Sequence, residues 1–312
     1  MHYSVADFLS YGEKDNSKVV YLLILVLSIF SLWFLLETDI LDYLVKGGVS
    51  NSSELLPQVI IALFRTACAY ITFHAIFVWM ILDKNGAIMY AFFKKEKQVL
   101  YRHIWRFERL VTFSSWNLTI LCLTFTLMSL TTWGEIFQIV IPESLKIITS
   151  ILFSTSLGMI TFTSTIVTYI LVPEAIKSGR EYDYLFEKHQ QMMHNWPVLL
   201  LFLDLVLTKP ILVWQFAIFG IIISIIYAIF AYIFAIYGGG YYVYQFIDPR
   251  LKYSPIIMSL LGGAIASFYL FTWVGLKILE WNYFIGILIF TIWGYSIVLF
   301  KPNTVVKMIP NS

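Results

Sequence analysis

Residues 211–236 read ILVWQFAIFGIIISIIYAIFAYIFAI and contain no charged side chain. A helix of about 20 residues, rising about 1.5 Å per residue, crosses a hydrocarbon core of about 30 Å. This stretch is therefore long enough and apolar enough to span a bilayer. Apolar runs of comparable length recur along the chain, so the same reasoning extends to the whole protein.

The composition excludes a soluble fold. Of the 312 residues, 59% are hydrophobic and 13% are charged, whereas an ordinary globular domain is about one quarter charged. Apolar runs between charged loops predict an all-α, polytopic membrane helix bundle with about eight transmembrane helices. The predicted spans are 19–36, 57–82, 110–133, 145–172, 192–207, 211–236, 255–279 and 281–300.

These spans divide the chain into four predicted segments. Residues 1–18 form a polar N-terminal segment, 19–56 the first anchor with its exterior loop, 57–280 the transmembrane core, and 281–312 the last helix and a tail. The fifth run is short for a span, so we predict a helix that begins outside the membrane near residue 182 and then enters it. The glycine run 238–240 predicts a flexible turn.

The distribution of Lys and Arg predicts the orientation. Seven of these residues lie in segment 83–109, which eight alternating spans place on the same side as both termini. By the positive-inside rule that side is cytoplasmic, so both termini are predicted to be cytoplasmic in an endomembrane, such as the endoplasmic reticulum, or in the plasma membrane. The glycosylation sequon Asn51-Ser52-Ser53 then falls in the first exterior loop.

Charge and spacing exclude several function classes. The net charge of +2 provides no concentrated basic face for a nucleic acid. Cys68 and Cys122 lie in apolar runs, which is typical of small buried hydrophobes and not of a disulfide or zinc framework. The five His include no pair at metal-ligand spacing, so we predict neither a metal site nor a cofactor.

Four ionisable residues stand out inside the predicted spans: Arg65, His74, His194 and Asp204. Each costs about 2.5–3.5 kcal/mol at mid-membrane unless it has a partner. Arg65 and Asp204 both fall in the exterior half of their spans, so they are predicted to form a buried ion pair. Two roles remain open for that pair: it locks two helices together, or it lines a substrate cavity.

Thr112, His74 and His194 are predicted at similar depth on the other side of the membrane. A Thr hydroxyl beside a His is a nucleophile–base arrangement used in covalent acyl transfer. A structural interpretation competes with this one, because a Thr hydroxyl in a membrane helix usually bonds the carbonyl one turn back. A single His near an interface is likewise more often a satisfied polar residue than a base.

Motifs around these residues resemble a known family. They are Trp105-Arg106-Phe107, Val111-Thr112-Phe113 and Trp116-Asn117-Leu118, followed by His194 and Asp204. Together they resemble the androgen-induced transmembrane family, whose characterised members hydrolyse fatty acid esters of hydroxy fatty acids with an intramembrane Thr and His. The resemblance implies Thr112 as nucleophile and His194 as general base, with Asp204 in place of the family's acidic residue.

The later part of the chain is more similar to the related rolling-stone proteins, which are linked to cell fusion and have no assigned chemistry. The matching residues are Pro210, Tyr227, Tyr244-Gln245-Phe246-Ile247-Asp248 and Pro255. The resemblance covers residues 56–280. Asn195 and Pro197 depart from the hydrolase pattern, in which a Thr follows the His and the Pro comes later.

Three functions follow as hypotheses. The first is a lipid-ester hydrolase whose partners are membrane lipids and a lipid-ester substrate that enters from the cytoplasmic leaflet. The second is a non-catalytic, rolling-stone-like protein whose basic segment 83–109 contacts anionic headgroups. Transport ranks last, because Arg65 and Asp204 are too few to line a pathway.

Overall fold

The computed structural model describes residues 9–46, 48–177 and 183–300. The part of the predicted last segment beyond residue 300 lies outside the described residues. In chain order the helices are α1 (Ser17–Glu37), α2 (Ile40–Lys46), α3 (Gln58–His74), α4 (Phe113–Ile136), α5 (Glu143–Ile166), α6 (Val172–Lys177), α7 (Lys188–His194), α8 (Trp196–Thr208), α9 (Ile218–Tyr237), α10 (Ser254–Trp281) and α11 (Tyr283–Ile297).

Within the described part of the chain, six helical segments are long and apolar enough to cross a membrane, so the protein is an integral membrane protein. Two of them continue α-helices through π-helical turns, at Ala75–Ile81 after α3 and at Val167–Leu171 between α5 and α6. The six segments are Ser17–Glu37, Gln58–Ile81, Phe113–Ile136, Glu143–Lys177, Trp214–Tyr237 and Ser254–Trp281.

The other two predicted spans, 192–207 and 281–300, correspond to shorter apolar helices. Helix α8 has 13 residues and α11 has 15, which at about 1.5 Å per residue is less than a full bilayer core. The prediction of one helix entering the membrane from residue 182 is wrong, because α7 ends at His194 and α8 begins at Trp196. Pro197 has no N–H to bond the Met193 carbonyl, which explains the break.

Segment 83–109, predicted as a basic loop, folds into a β-hairpin of β1 (Ala87–Phe93) and β2 (Gln98–Ile104). Its register pairs Tyr90 with Tyr101, and β3 (Tyr241–Tyr242) pairs with the other edge of β1. Lys97 closes the turn with φ 53°. We call this end of the bundle the hairpin end, and the end that contains the loop 48–56 the distal end.

The loop after α9 is tightly packed, contrary to the predicted flexible turn. A Cβ on Gly238 would lie 2.7 Å from the Phe234 ring, and one on Gly239 would collide with Tyr241. The N-terminal segment also packs at the hairpin end, because Asn16 Nδ2 donates to the carbonyls of Leu251 and Lys252. The hairpin end is therefore a layer of short elements packed over the helices.

The largest hydrophobic core lies between α4, α5, α8 and α10, with contributions from α2 and α11. Leu121, Phe125, Phe153, Leu157 and Leu201 are among its fully buried members. Helix α1 is peripheral, because Val20 and Ser31 are its only buried residues. The core fixes how α4, α5 and α8 face one another, and these helices position the polar residues considered next.

Candidate functional site

Arg65 and Asp204 form the predicted ion pair at the distal end. Arg65 Nε lies 2.7 Å from Asp204 Oδ1, and Arg65 Nη2 lies 3.0 Å from Asp204 Oδ2. The two side chains are 0% and 1% exposed. This bidentate geometry is the strongest form of an Arg–carboxylate contact.

The remaining Arg65 donors also have partners. Nη1 donates to Asn51 Oδ1 at 2.9 Å and to Thr132 Oγ1 at 2.8 Å, and Nη2 donates to the Ser50 carbonyl at 2.7 Å. Because a guanidinium has five N–H groups, all of them are used by the protein. Arg65 has no donor left for a substrate, so the geometry favours a structural role that ties α3, α4, α8 and the loop 48–56 together.

Thr112 is the N-cap residue of α4. Its Oγ1 accepts from the Ser115 backbone N–H at 3.0 Å and lies 2.6 Å from Ser115 Oγ. Ser115 Oγ donates to the Arg109 carbonyl at 2.7 Å, so the Thr112 hydroxyl proton points to Ser115. The hydroxyl predicted as a nucleophile therefore accepts a hydrogen bond from a free backbone N–H in the first turn of α4.

His194 is the last residue of α7 and is buried. Its Nε2 lies 3.1 Å from Gln190 Oε1, and since that oxygen only accepts, Nε2 holds the proton and Nδ1 has the free lone pair. No described group bonds Nδ1. The His194 carbonyl accepts a hydrogen bond from Ser164 Oγ, which attaches the end of α7 to α5.

The predicted meeting of Thr112, His74 and His194 is not reproduced as a bonded cluster. Half-buried His74 contacts the rings of Tyr70 and Trp79, at centroid distances of 5.9 and 5.3 Å. None of the hydrogen bonds of these three described residues joins one to another. All three residues lie toward the hairpin end. The hydrogen-bond partners of Thr112 and His194 are residues three or four positions away in the chain.

A second His site, centred on Arg109, was not anticipated from the sequence. Arg109 is 2% exposed and donates to Asp83 Oδ2, to the Met80 carbonyl and to His189 Nε2, at 3.0, 3.1 and 3.0 Å. Since a guanidinium can only donate, His189 Nε2 accepts and the ring is neutral. Burial, followed by the charge of Arg109, lowers the pKa of His189 to about 4.

Asn195, one departure from the hydrolase pattern, has a structural role. Its Nδ2 donates to the Leu299 carbonyl at 2.7 Å, and its Oδ1 accepts from the Leu299 N–H at 2.9 Å. Nδ2 also donates to Gln191 Oε1 at 2.6 Å. The side chain thus binds the segment that follows α11, a contact that a shorter Thr would not make in the same way.

Two cavities lie near these residues. A groove of about 1300 Å³ between α6, α8 and α11 is lined by apolar residues such as Leu199, Phe202 and Phe290, with Lys177 at its hairpin end. A smaller cavity of about 570 Å³ lies at the hairpin end and is lined by Arg102, Val111 and other residues. Thr112 and His194 line neither cavity, although Val111 immediately precedes Thr112.

No metal site is evident in the described residues, where no three His, Cys, Asp or Glu side chains form a group that could hold an ion.

No protein-family model, curated protein or solved structure matches this chain.

Proposed function

We propose that the protein is an intramembrane lipid-ester hydrolase in which Thr112 is the nucleophile and His194 the general base. The observation that supports this most directly is the state of His194. A general base needs a free lone pair within reach of the proton that it removes. His194 Nδ1 has one, and no described group bonds it.

The local structure of Thr112 suits a developing alkoxide. Its Oγ1 lies at the N-terminus of α4, where the helix dipole is positive, and it already accepts the Ser115 N–H. Substrate binding would have to turn the Thr112 hydroxyl from Ser115 Oγ toward His194. Unliganded sites often have such unformed contacts, which tighten only when substrate binds.

The proposed reaction has two steps. Thr112 Oγ1 attacks the ester carbonyl while its proton passes to His194 Nδ1, and the alcohol leaves with that proton, so Thr112 is acylated. Water then attacks the acyl carbonyl and gives a proton to His194 Nδ1. His194 passes that proton to Thr112 Oγ1 as the acyl bond to Thr112 breaks, and the fatty acid leaves. The acyl chains of such a substrate are already dissolved in the surrounding lipid, so the ester can reach an intramembrane site without crossing water.

The hydrolase proposal is tested with purified protein and a branched fatty-acid ester. Thr112→Ala, His194→Ala and the double variant should all fall to the same low turnover, because residues that act as one unit do not contribute additively. A fluorophosphonate should label wild-type protein and not Thr112→Ala. Wild-type protein that neither hydrolyses the ester nor takes the label would refute the proposal.

A membrane protein that binds lipid or a partner without catalysis, as the rolling-stone resemblance implies, is the second candidate. The Thr112 N-cap favours it, because a hydroxyl committed to Ser115 needs no chemistry to explain it. The two candidates differ in one measurement. Thr112→Ala should lower thermal stability under both, whereas only the hydrolase loses an activity.

We further propose that α8 and α11 complete eight membrane crossings and that both termini and the hairpin are cytoplasmic. The clustering of Lys and Arg in segment 83–109 supports this orientation. In sealed microsomes, an epitope inserted at the exposed hairpin turn near Lys95 should be digested by added protease without detergent. Protection of that epitope would reverse the orientation.

A further inference from the structure

Asn117 is a buried Asn whose polar atoms are unsatisfied. It lies on α4, is 0% exposed, and neither its Nδ2 nor its Oδ1 bonds any described group. Such groups are rare in native proteins, because a buried amide without a hydrogen bond costs more than an apolar side chain of the same shape. Inside a membrane protein the cost persists, so the position calls for an explanation.

Asn117 lies level with the end of α7. Helices α4 and α5 follow each other along the chain and run antiparallel, and Thr124 Oγ1 lies 3.0 Å from Ser156 Oγ across their interface. Seven residues from this contact toward the hairpin end, which is two helical turns or about 10 Å, α4 has Asn117 and α5 has Thr163. The next residue, Ser164, donates to the His194 carbonyl.

His194 Nδ1 and the Asn117 amide are therefore unsatisfied groups at one level of the bundle, on packed elements. Both are more than nine-tenths buried, at 3% and 0% exposure. No hydrogen bond joins the Asn117 amide to His194. Together they offer a ligand two hydrogen-bond acceptors, Asn117 Oδ1 and His194 Nδ1, and one donor group, Asn117 Nδ2.

We propose that Asn117 and His194 together bind the hydroxyl oxygen that is exchanged in the reaction. Two acceptors select an O–H group over an ester oxygen, which has no proton to give. In the first step the oxygen of the departing alcohol takes the proton from His194 Nδ1 at this position. In the second, water occupies it, donating one proton to His194 Nδ1 and the other to Asn117 Oδ1, with a lone pair left to attack the acyl-Thr112 carbonyl.

This inference rests on the proposed hydrolysis and assigns Asn117 the positioning of its water. The test compares Asn117→Leu with Asn195→Leu, because both residues are buried Asn near the hairpin end and Asn195 makes three hydrogen bonds. In thermal melts in detergent, Asn195→Leu should lower Tm by several degrees. Asn117→Leu should leave Tm unchanged or raise it, because it removes only unpaired polar atoms.

Kinetics give the second arm of the test. Asn117→Leu should keep fluorophosphonate labelling of Thr112 within about threefold of wild type, since that reaction needs no water. Its ester turnover should fall roughly 100-fold, because general acid–base catalysis of both steps then lacks a positioned hydroxyl oxygen.

The outcomes separate the two proposals. Wild-type turnover in Asn117→Leu, or a Tm loss equal to that of Asn195→Leu, overturns the role of Asn117 and leaves the hydrolase proposal intact. Wild-type protein without hydrolysis or labelling overturns both.

Discussion

The buried sites around Arg65 and around His194 differ in how completely they are hydrogen-bonded. At the distal end Arg65 uses all five N–H groups on Asp204, Asn51, Thr132 and Ser50. At the hairpin end His194 Nδ1 has no bond to any described group. Arg65 and His194 are both buried, but only Arg65 has a hydrogen-bond partner for every polar group of its side chain.

The comparison distinguishes polar groups that stabilise the fold from polar groups that are free to bind a ligand. A fully paired buried ion pair has no capacity for a ligand, so it stabilises the arrangement of helices or specifies it. An unpaired buried nitrogen costs stability, and proteins commonly accept such a cost at sites that bind or react. The distal cluster thus belongs to the architecture, and we place the chemistry at the hairpin end.

The largest expected effect is at the distal end. Arg65→Met leaves Asp204 charged and unpaired, which should cost about 3–5 kcal/mol, because the remaining carboxylate stays buried without compensation. Fluorescence-detected size-exclusion chromatography and thermal melts should show a large loss of folded protein. The double variant Arg65→Met with Asp204→Leu is the matched control and should recover part of that loss.

If Arg65→Met melts like the wild type, the pair does not support the fold. The contrast between the two ends would then disappear, and the distal cluster would have to be reconsidered as a site.

A medium effect is expected at His189. Both of its ring nitrogens have partners, Arg109 and Glu187, whereas His194 Nδ1 has none among the described residues. The His189 pKa of about 4 in the folded protein lies below the value of about 6.5 in an unfolded chain. The unfolded chain therefore takes up the proton first, so this contribution is present above pH 6.5 and is lost as the pH falls toward 4. The loss should reach roughly 2–3 kcal/mol at pH 4.

Thermal melts between pH 7 and pH 4 test this effect against His189→Gln, which does not titrate and can still accept from Arg109. Asp83, Glu187 and Arg109 also face His189 and are unchanged in that variant. The wild type should lose stability more steeply than His189→Gln. Equal slopes would mean that His189 is not held neutral by its surroundings.

The smallest effect is expected at an exposed ion pair of the distal end. Lys209 Nζ lies 2.8 Å from Glu54 Oε2, and the Glu54 side chain is 81% exposed. Water competes for both charges, so Glu54→Gln should leave Tm unchanged within error. A Tm loss approaching that of Arg65→Met would show that burial does not explain the difference between the two pairs.

The sequence alone determined that the protein is a helical membrane protein and that Arg65 pairs with Asp204. Hydropathy is a property of a contiguous segment, so apolar runs identify membrane helices without knowledge of their neighbours. The Arg65–Asp204 pair could be predicted for a related reason. A buried charge in a membrane needs an opposite charge, and few candidates lie at the same depth.

Only the tertiary structure decided which partners the remaining polar groups have. Segment 83–109 contains two short strands among seven basic residues. The first strand reads AIMYAFF, so it lacks the alternation of apolar and polar residues that indicates a half-buried strand. The partners of Thr112, Arg109 and Asn117 depend on which helices pack side by side. A hydrogen bond needs its two atoms about 3 Å apart, and residues distant in the chain reach that separation only when the bundle is packed.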